Sequence, residues 1–345
     1  MRKPFLIGGE EISPGTRRIV DIPLSVLSNH TPMSLPVQVI HGRKDGPTVF
    51  VSAAVHGDEI IGVEVIRRLS RSSALKRISG TLLLVPIVNA FGFISHSRYL
   101  PDRRDLNRTF PGSQTGSLAS QLAYRFLNDV VSLCDLGIDL HSAAVHRVNL
   151  PQVRINADDP KALELARVFE PPVIIQSALR EGSLRAAAAK IGVPILLYEA
   201  GEALRLDEFS ARVGVKGILK VLKQLGMISA RSIKIGNVAP PLVQKSTWLR
   251  ASEGGIFRAS RNVGDVIRKG DTMGYIADPF GEKEAELKSD VSGLIVGRTN
   301  HPAVNQGDAL FHVAQLPHSA SMEGTMGAIE EEFANDPLLD EDEIL

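Results

Sequence analysis

Short apolar runs of strand character alternate with longer stretches of helical period across residues 34–226. The strand-like runs fall at Pro36 to Ile40, Val49 to Val55, Leu82 to Val88, Leu136 to Leu140, Val173 to Gln176 and Pro194 to Tyr198. Between them apolar residues recur with a period near 3.6 over Ile60 to Leu69, Leu118 to Val131, Pro160 to Phe169, Ser183 to Ile191 and Asp207 to Leu225. Strand and helix in alternation predict an α/β sheet covered on both faces.

Near residue 226 the texture changes. Gly becomes frequent, helical period vanishes, and short strand signals recur at Gly255 to Arg258, Val266 to Ile267, Met273 to Ile276, Gly293 to Val296 and Ala309 to Val313. The turns Val263-Gly264-Asp265 and Gln306-Gly307-Asp308 are alike, each preceded by Asn and followed by apolar residues. Residues 227–316 therefore read as a small all-β barrel or sandwich-like domain with a weak internal duplication, similar to lipoyl/biotinyl-type domains. Lys283 and Lys288 lie in a Glu-rich loop and not in a tight symmetric turn, which argues against a carrier role. Residues 1–33 read as a polar lead-in. Residues 317–345 read as a mobile acidic tail, because Glu323 to Leu345 holds nine acidic residues and no Lys or Arg.

Composition narrows the partners. At 345 residues the chain can bury a sizeable core, with two domains as the prior. A formal net charge of zero argues against a nucleic-acid footprint. The single cysteine, Cys134, rules out an intramolecular disulfide and a cysteine-rich zinc site, so any zinc must use His and carboxylate. The apolar run near the N-terminus is only Phe5-Leu6-Ile7, too short for a signal peptide, and no stretch approaches a membrane span. No membrane partner is expected, and the cytoplasm is the default location.

Four segments carry candidate chemistry. His56-Gly57-Asp58-Glu59 joins the apolar run Thr48 to Val55 to an amphipathic helix. A His and a Glu three apart on such a turn can face one ion, and a catalytic zinc takes three protein ligands and leaves a fourth position for water. Alone, this spacing reads as readily as a surface turn. Asp139-Leu140-His141-Ser142 closes another apolar run, so His141 falls at a strand end, where open α/β sheets bind ligands. Taken singly, His141 is more readily a core histidine. With His56 and Glu59 at another strand end, it is the natural third ligand.

The loop Arg104 to Gly112 offers Arg108 as a planar fork for a carboxylate and Asn107 as an amide donor. Asp105 is placed to hold the free ring nitrogen of a zinc-bound His. A solvated charged loop is the alternative. Tyr198-Glu199-Ala200-Gly201 ends a buried run, where a carboxylate is costly unless paired or functional. A general base beside a zinc water is the functional reading of Glu199, and an N-cap or ion pair is the plain one.

In order, His-x-x-Glu, Asp-x-Asn-Arg, His and Glu resemble the zinc carboxypeptidase superfamily. The match is closest to its succinylglutamate desuccinylase/aspartoacylase branch, over about residues 35–315. His56, Glu59, Arg98, Asp105, Asn107, Arg108, His141 and Glu199 carry it. The resemblance implies a carboxypeptidase-like mixed sheet flanked by helices, with an appended β domain. It implies one Zn²⁺ per chain on His56, Glu59 and His141, water activation by Glu199, and a carboxylate grip by Asn107 and Arg108. Arg98, in Ser97-Arg98-Tyr99, takes the role of polarising the scissile carbonyl, with Arg103 and Arg104 near enough in sequence to compete for it.

The expected activity is zinc-dependent hydrolysis of the amide bond of a small N-acyl amino acid. Arg185 could add a second contact for an acidic side chain of the substrate. The same residues would serve a zinc carboxypeptidase that releases a C-terminal residue. The β domain favours the deacylase, since it can roof the cleft against long peptides. A non-catalytic metal- or carboxylate-binding module would have no use for a base at Glu199. The acyl group, the amino acid and homo-oligomerisation stay open.

Overall fold

A computed structural model describes residues 2–156, 158–229, 233 and 240–316. The acidic stretch at 317–345 lies outside the described residues.

The polar lead-in carries strands. β1 (Phe5–Ile7) and β2 (Glu10–Ile12) form a small hairpin, and β3 (Thr16–Val26) pairs antiparallel along β4 (Pro32–His41). Buried Val20 and Ile22 alternate with exposed neighbours, so this edge of the sheet is apolar on one face only.

Next come β5 (Lys44–Ala53), α1 (Ile61–Arg71), β6 (Ser79–Val85), α2 (Ala90–Ile94), α3 (Leu118–Asp129) and β7 (Leu136–Ala143). They are followed by β8 (Arg147–Ile155), α4 (Pro160–Phe169), β9 (Val173–Gln176), α5 (Leu184–Lys190), β10 (Ile195–Glu202) and α6 (Glu208–Gln224). The sheet is mixed: β6, β5, β7 and β10 run parallel, while β4 and β8 pair antiparallel at their flanks. Helices α3, α4, α5 and α6 start where the sequence offers a cap: Ser117, Asp159, Ser183 and Asp207 each accept a backbone N–H in the first turn.

The two faces bury different residues of the same strands. Val49, Val51 and Ala53 of β5 pack with α1, α4 and α6; Phe50 packs on the other face with α3 and α5. A Cβ at Gly137 would lie 2.2 Å from the Phe50 ring, so glycine in β7 makes room for that ring, which meets Phe126 of α3 edge-on.

Helices α1 and α6 are clamped by Arg68, buried among apolar neighbours. It donates to both oxygens of Glu208 at 2.8 and 2.7 Å and to Glu64 at 2.7 Å. Hydrogen bonds from Arg68 lower the pKa of Glu208 to about 2, against an ordinary 4.5. A depressed carboxylate stabilises the fold above its unfolded pKa, and that contribution fades as the pH falls from about 4.5 towards 2. Arg68→Ala should cost about 1–3 kcal/mol at neutral pH, because it removes the two hydrogen bonds that tie α1 to Glu208 of α6. Urea unfolding checks this, and the gap between variant and parent should narrow at pH 3.

All described elements after α6 are strands: β11 (Leu242–Val243), β12 (Ser246–Arg250), β13 (Gly255–Ala259), β14 (Val266–Ile267), β15 (Thr272–Ala277), β16 (Glu284–Lys288), β17 (Gly293–Thr299), β18 (Ala303–Val304) and β19 (Ala309–Ala314). A four-stranded sheet runs in the order β16-β15-β13-β18, and Phe257, Met273, Leu310 and Phe311 centre an apolar cluster drawn only from residues 249–313. These strands do not close apart from the rest. β17 pairs antiparallel with β8 through Gly297 opposite Asn149 and Thr299 opposite Arg147, so β17, β19 and β12 extend the main sheet.

The link depends on β8, a strand the apolar pattern does not signal. Pro151 sits near its middle, and a proline lacks the N–H a central strand needs. It lies where β10 bulges between Glu199 and Gly201, and where the outer partner of β8 changes from β17 to β9. The missing donor therefore falls at a gap in the ladder.

Candidate active site

Along the α3/α5 face of the sheet, apolar residues give way to polar ones toward the C-terminal ends of the parallel strands. On β5, Phe50 is followed two residues later by Ser52; on β7, Gly137 by Asp139 and His141; on β10, Ile195 and Leu197 by Glu199. Period-two alternation puts each series on one face. Register aligns Ser52 with Asp139 and His141 with Glu199. The polar groups thus meet at the carboxyl edge of the sheet, where open α/β sheets bind ligands.

His56 and Glu59 reach this edge from the turn between β5 and α1. That turn lies against α2 so closely that a Cβ on Gly57 would fall 2.0 Å from the backbone of Gly92. Glycine in His56-Gly57-Asp58-Glu59 is thus a packing requirement.

The metal-type donors of His56, Glu59 and His141 all lie within 4.8 Å of one another, and all three residues are buried. Nδ1 of His56 is 2.8 Å from Glu59 Oε1, and Nδ1 of His141 is 2.7 Å from Glu59 Oε2. Both imidazoles present Nδ1 inward, and a carboxylate holds each outer nitrogen. Nε2 of His56 meets Asp105 Oδ1 at 3.0 Å; Nε2 of His141 meets Asp139 Oδ2 at 2.7 Å. Asp139 accepts in turn from the Ser52 hydroxyl at 2.7 Å. Two imidazole nitrogens and a carboxylate, with outer nitrogens fixed by carboxylates, form a donor set suited to zinc.

The electrostatics agree with a cation at the centre. Burial alone would push the Glu59 carboxyl up, but the two imidazoles hold it well below the usual carboxylate range. Burial would likewise push both imidazoles down. Glu59 and Asp105 instead raise His56, and Asp139 and Glu59 raise His141. The cluster accumulates negative charge that positive charge must offset.

The loop before α3 delivers Arg98 and Asp105. Arg98 donates from Nη1 to Glu59 Oε1 at 3.0 Å and from Nη2 to Asp105 Oδ2 at 3.1 Å. Arg104 pairs at 3.7 Å with Asp102, which accepts the Ala119 N–H at the start of α3. Arg98, not Arg104, is therefore the arginine that reaches the cluster. Asn107 uses Oδ1 to accept from the Leu184 N–H. Arg108 is exposed, bonds to the Asn107 carbonyl at 2.5 Å and feels the positive charge of Arg180.

Glu199 stands one strand beyond His141. Its Oε2 accepts from Asn149 Nδ2 at 3.0 Å, and its Oε1 lies 3.6 Å from Arg154 Nη1. Arg185 bonds to the Ser177 hydroxyl at 2.9 Å, and its pKa falls to about 10 through burial and the nearby Arg154. His301 and His312 stay apart from the cluster; His312 stacks on Trp248 at 4.6 Å.

Sequence reading passed over Asp139, Ser52, Asn149 and Arg154. Asp139 had a signal: it is two residues from His141 on one strand, hence on the same face. Asn149 and Arg154 lie on β8 and share the fate of that strand.

A deacetylase of N-alpha-acetyl-L-2,4-diaminobutyric acid from Halomonas elongata is 24% identical over 298 residues, spanning 83% of this chain and 86% of that one. The structure of a succinylglutamate desuccinylase/aspartoacylase from Rhodobacter sphaeroides superposes with a TM-score of 0.77 at 26% identity, covering 88% of this chain and 95% of its own. The product-bound ectoine utilization protein EutE (DoeB) of Ruegeria pomeroyi shares the fold, with a TM-score of 0.77 at 22% identity, covering 87% of this chain and 95% of that one. The class these relatives define is that of amide-cleaving hydrolases, the deacylases. Residues 45–225 match the succinylglutamate desuccinylase/aspartoacylase catalytic domain, and the chain belongs to that family.

Proposed function

We propose that this protein is a zinc-dependent deacylase that hydrolyses the amide bond of a small N-acyl amino acid. The observation that carries the reading is the convergence of His56, Glu59 and His141 on one point, with Glu199 in register beside His141 on the next strand. His56, Glu59 and His141 would hold the ion. A bound zinc supplies a water of lowered pKa and a Lewis acid for the carbonyl. Asp105 and Asp139 fix the ring orientations of the two histidines.

Glu199 accepts the proton of the attacking water and delivers it to the leaving amine. Arg98 spends two N–H bonds on Glu59 and Asp105, and its remaining donors serve the developing oxyanion. Arg108 and the Asn107 amide hold the substrate carboxylate. The strands after α6, read as a small β domain at residues 227–316, border the cleft and limit the length of what enters. No helix of the described residues is long and apolar enough to cross a membrane, and a cytoplasmic location is proposed.

The test is a panel of N-acyl amino acids and N-blocked dipeptides offered to the zinc-loaded chain. The relative from Halomonas elongata makes N-acetylated amino acids, diamino acids among them, the first members. Hydrolysis of acyl amino acids well above dipeptides supports the deacylase. The reverse order makes it a carboxypeptidase, and zinc without hydrolysis of either makes it a binding module.

Arg108→Ala should lower kcat/KM about tenfold to a hundredfold on substrates with a free α-carboxylate, the worth of a charge-assisted hydrogen bond. The same substrates amidated at that carboxylate should start poor and barely respond. Equal loss on both would take Arg108 out of carboxylate recognition.

A further inference from the structure

Glu199 is held by a donor from a neighbouring strand. Asn149, on β8, donates from Nδ2 to Glu199 Oε2 at 3.0 Å. A carboxylate only accepts, which fixes the amide nitrogen as the atom that faces it. Oε1 of Glu199 lies 3.6 Å from Arg154 Nη1, too far for a hydrogen bond. One oxygen is thus anchored by a hydrogen bond, and the other, in a looser ion pair with Arg154, is open to a water proton.

Two glycines flank Asn149. Across one ladder it faces Gly201 of β10, across the other Gly297 of β17. Gly201 has φ +71 at the β10 bulge, a conformation that favours glycine. Gly297 differs: its backbone accepts any residue, but an added Cβ would lie 2.9 Å from Asn149 Oδ1. That amide is the movable end of a side chain, so a methyl group there would displace it first, while His312 Cβ at 3.3 Å would have to give by only a few tenths of an ångström.

We infer that Asn149 is a positioning residue for Glu199, and that Gly297 on the C-terminal strand β17 keeps room for its amide. The inference rests on Glu199 as the base of the proposed reaction. A carboxylate at a strand end can rotate about its last torsion, and a single fixed donor selects the rotation that presents Oε1. Through Gly297, β17 bears on the base by way of Asn149.

The experiment is a double-mutant cycle on the zinc-loaded full chain, with the N-acyl amino acid it cleaves fastest. Asn149→Ala should lower kcat about tenfold to a hundredfold, with KM and zinc content held. In the Glu199→Gln background the same change should cost less than about twofold, since its effect passes through the lost carboxylate. Asn149→Asp keeps the shape but removes the donor, so it should lose at least as much as Asn149→Ala, and it guards against a cavity effect. Gly297→Ala should lower kcat severalfold in the parent and add nothing to Asn149→Ala. Equal losses in both backgrounds, or wild-type kcat in Asn149→Ala, overturn the inference and leave Glu199 as the base. Wild-type kcat in Glu199→Gln removes the base itself, and the inference with it.

Discussion

His141→Ala should purify with little zinc and no measurable turnover. His141 Nδ1 is one of three inward donors, and two remaining donors hold zinc poorly. The loss should exceed the 10–100-fold in affinity that removal of an outer carboxylate such as Asp139 typically costs. A second effect follows from the buried surroundings. Without the imidazole, the Asp139 carboxylate keeps the Ser52 hydroxyl as its hydrogen-bond partner among the described side chains, and a buried charge stripped of a partner is destabilising. The variant should therefore melt below the parent even when both are zinc-free. His141→Gln retains a polar group beside Asp139 and separates the two effects: its stability should recover in part, and its zinc should not. Elemental analysis of the folded variants decides the matter, and near-stoichiometric zinc in either would remove His141 from the ligand set.

Glu199→Gln should keep its zinc and its KM and lose kcat by about 10²–10⁴, the usual worth of a positioned general base. The substitution is close to isosteric, and the amide oxygen can still accept from Asn149. The Glu199 side chain makes no hydrogen bond to His56, Glu59 or His141 among the described residues, so the metal set should survive. Single-turnover kinetics check the chemical step. An unchanged rate would assign water activation to another group.

The site was legible in the sequence wherever chemistry coincided with a local pattern. His56 and Glu59 share one turn, His141 and Glu199 each close an apolar run, and Asp105 with Asn107 and Arg108 fall in one charged loop. The helices were legible for the same reason: periodicity and caps act over a few residues, and α1, α3, α4, α5 and α6 lie within a few residues of the predicted spans. β8 was not, because Pro151 breaks the pattern of a central strand and only a bulge on its partner makes the proline tolerable. β3 was hidden likewise, since a single buried face at a sheet edge leaves a weak apolar signal.

The sequence by itself determined the alternation that makes an α/β sheet, the order of the four chemical segments, and the kind of ligands available, because one cysteine left only imidazole and carboxylate. Tertiary structure decided which arginine reaches the cluster, since Arg98 and Arg104 are six residues apart and only the fold of their loop turns one to Glu59 and the other to Asp102. It also decided that Asp139 backs His141 while Asp105 backs His56, a pairing across 49 residues that no local spacing encodes. And it decided that β17, β19 and β12 share the main sheet, because β8 offers them an open edge beside Glu199. Hydrogen-bond pairing between strands is fixed by where distant segments meet, whereas period and caps are fixed by neighbours along the chain.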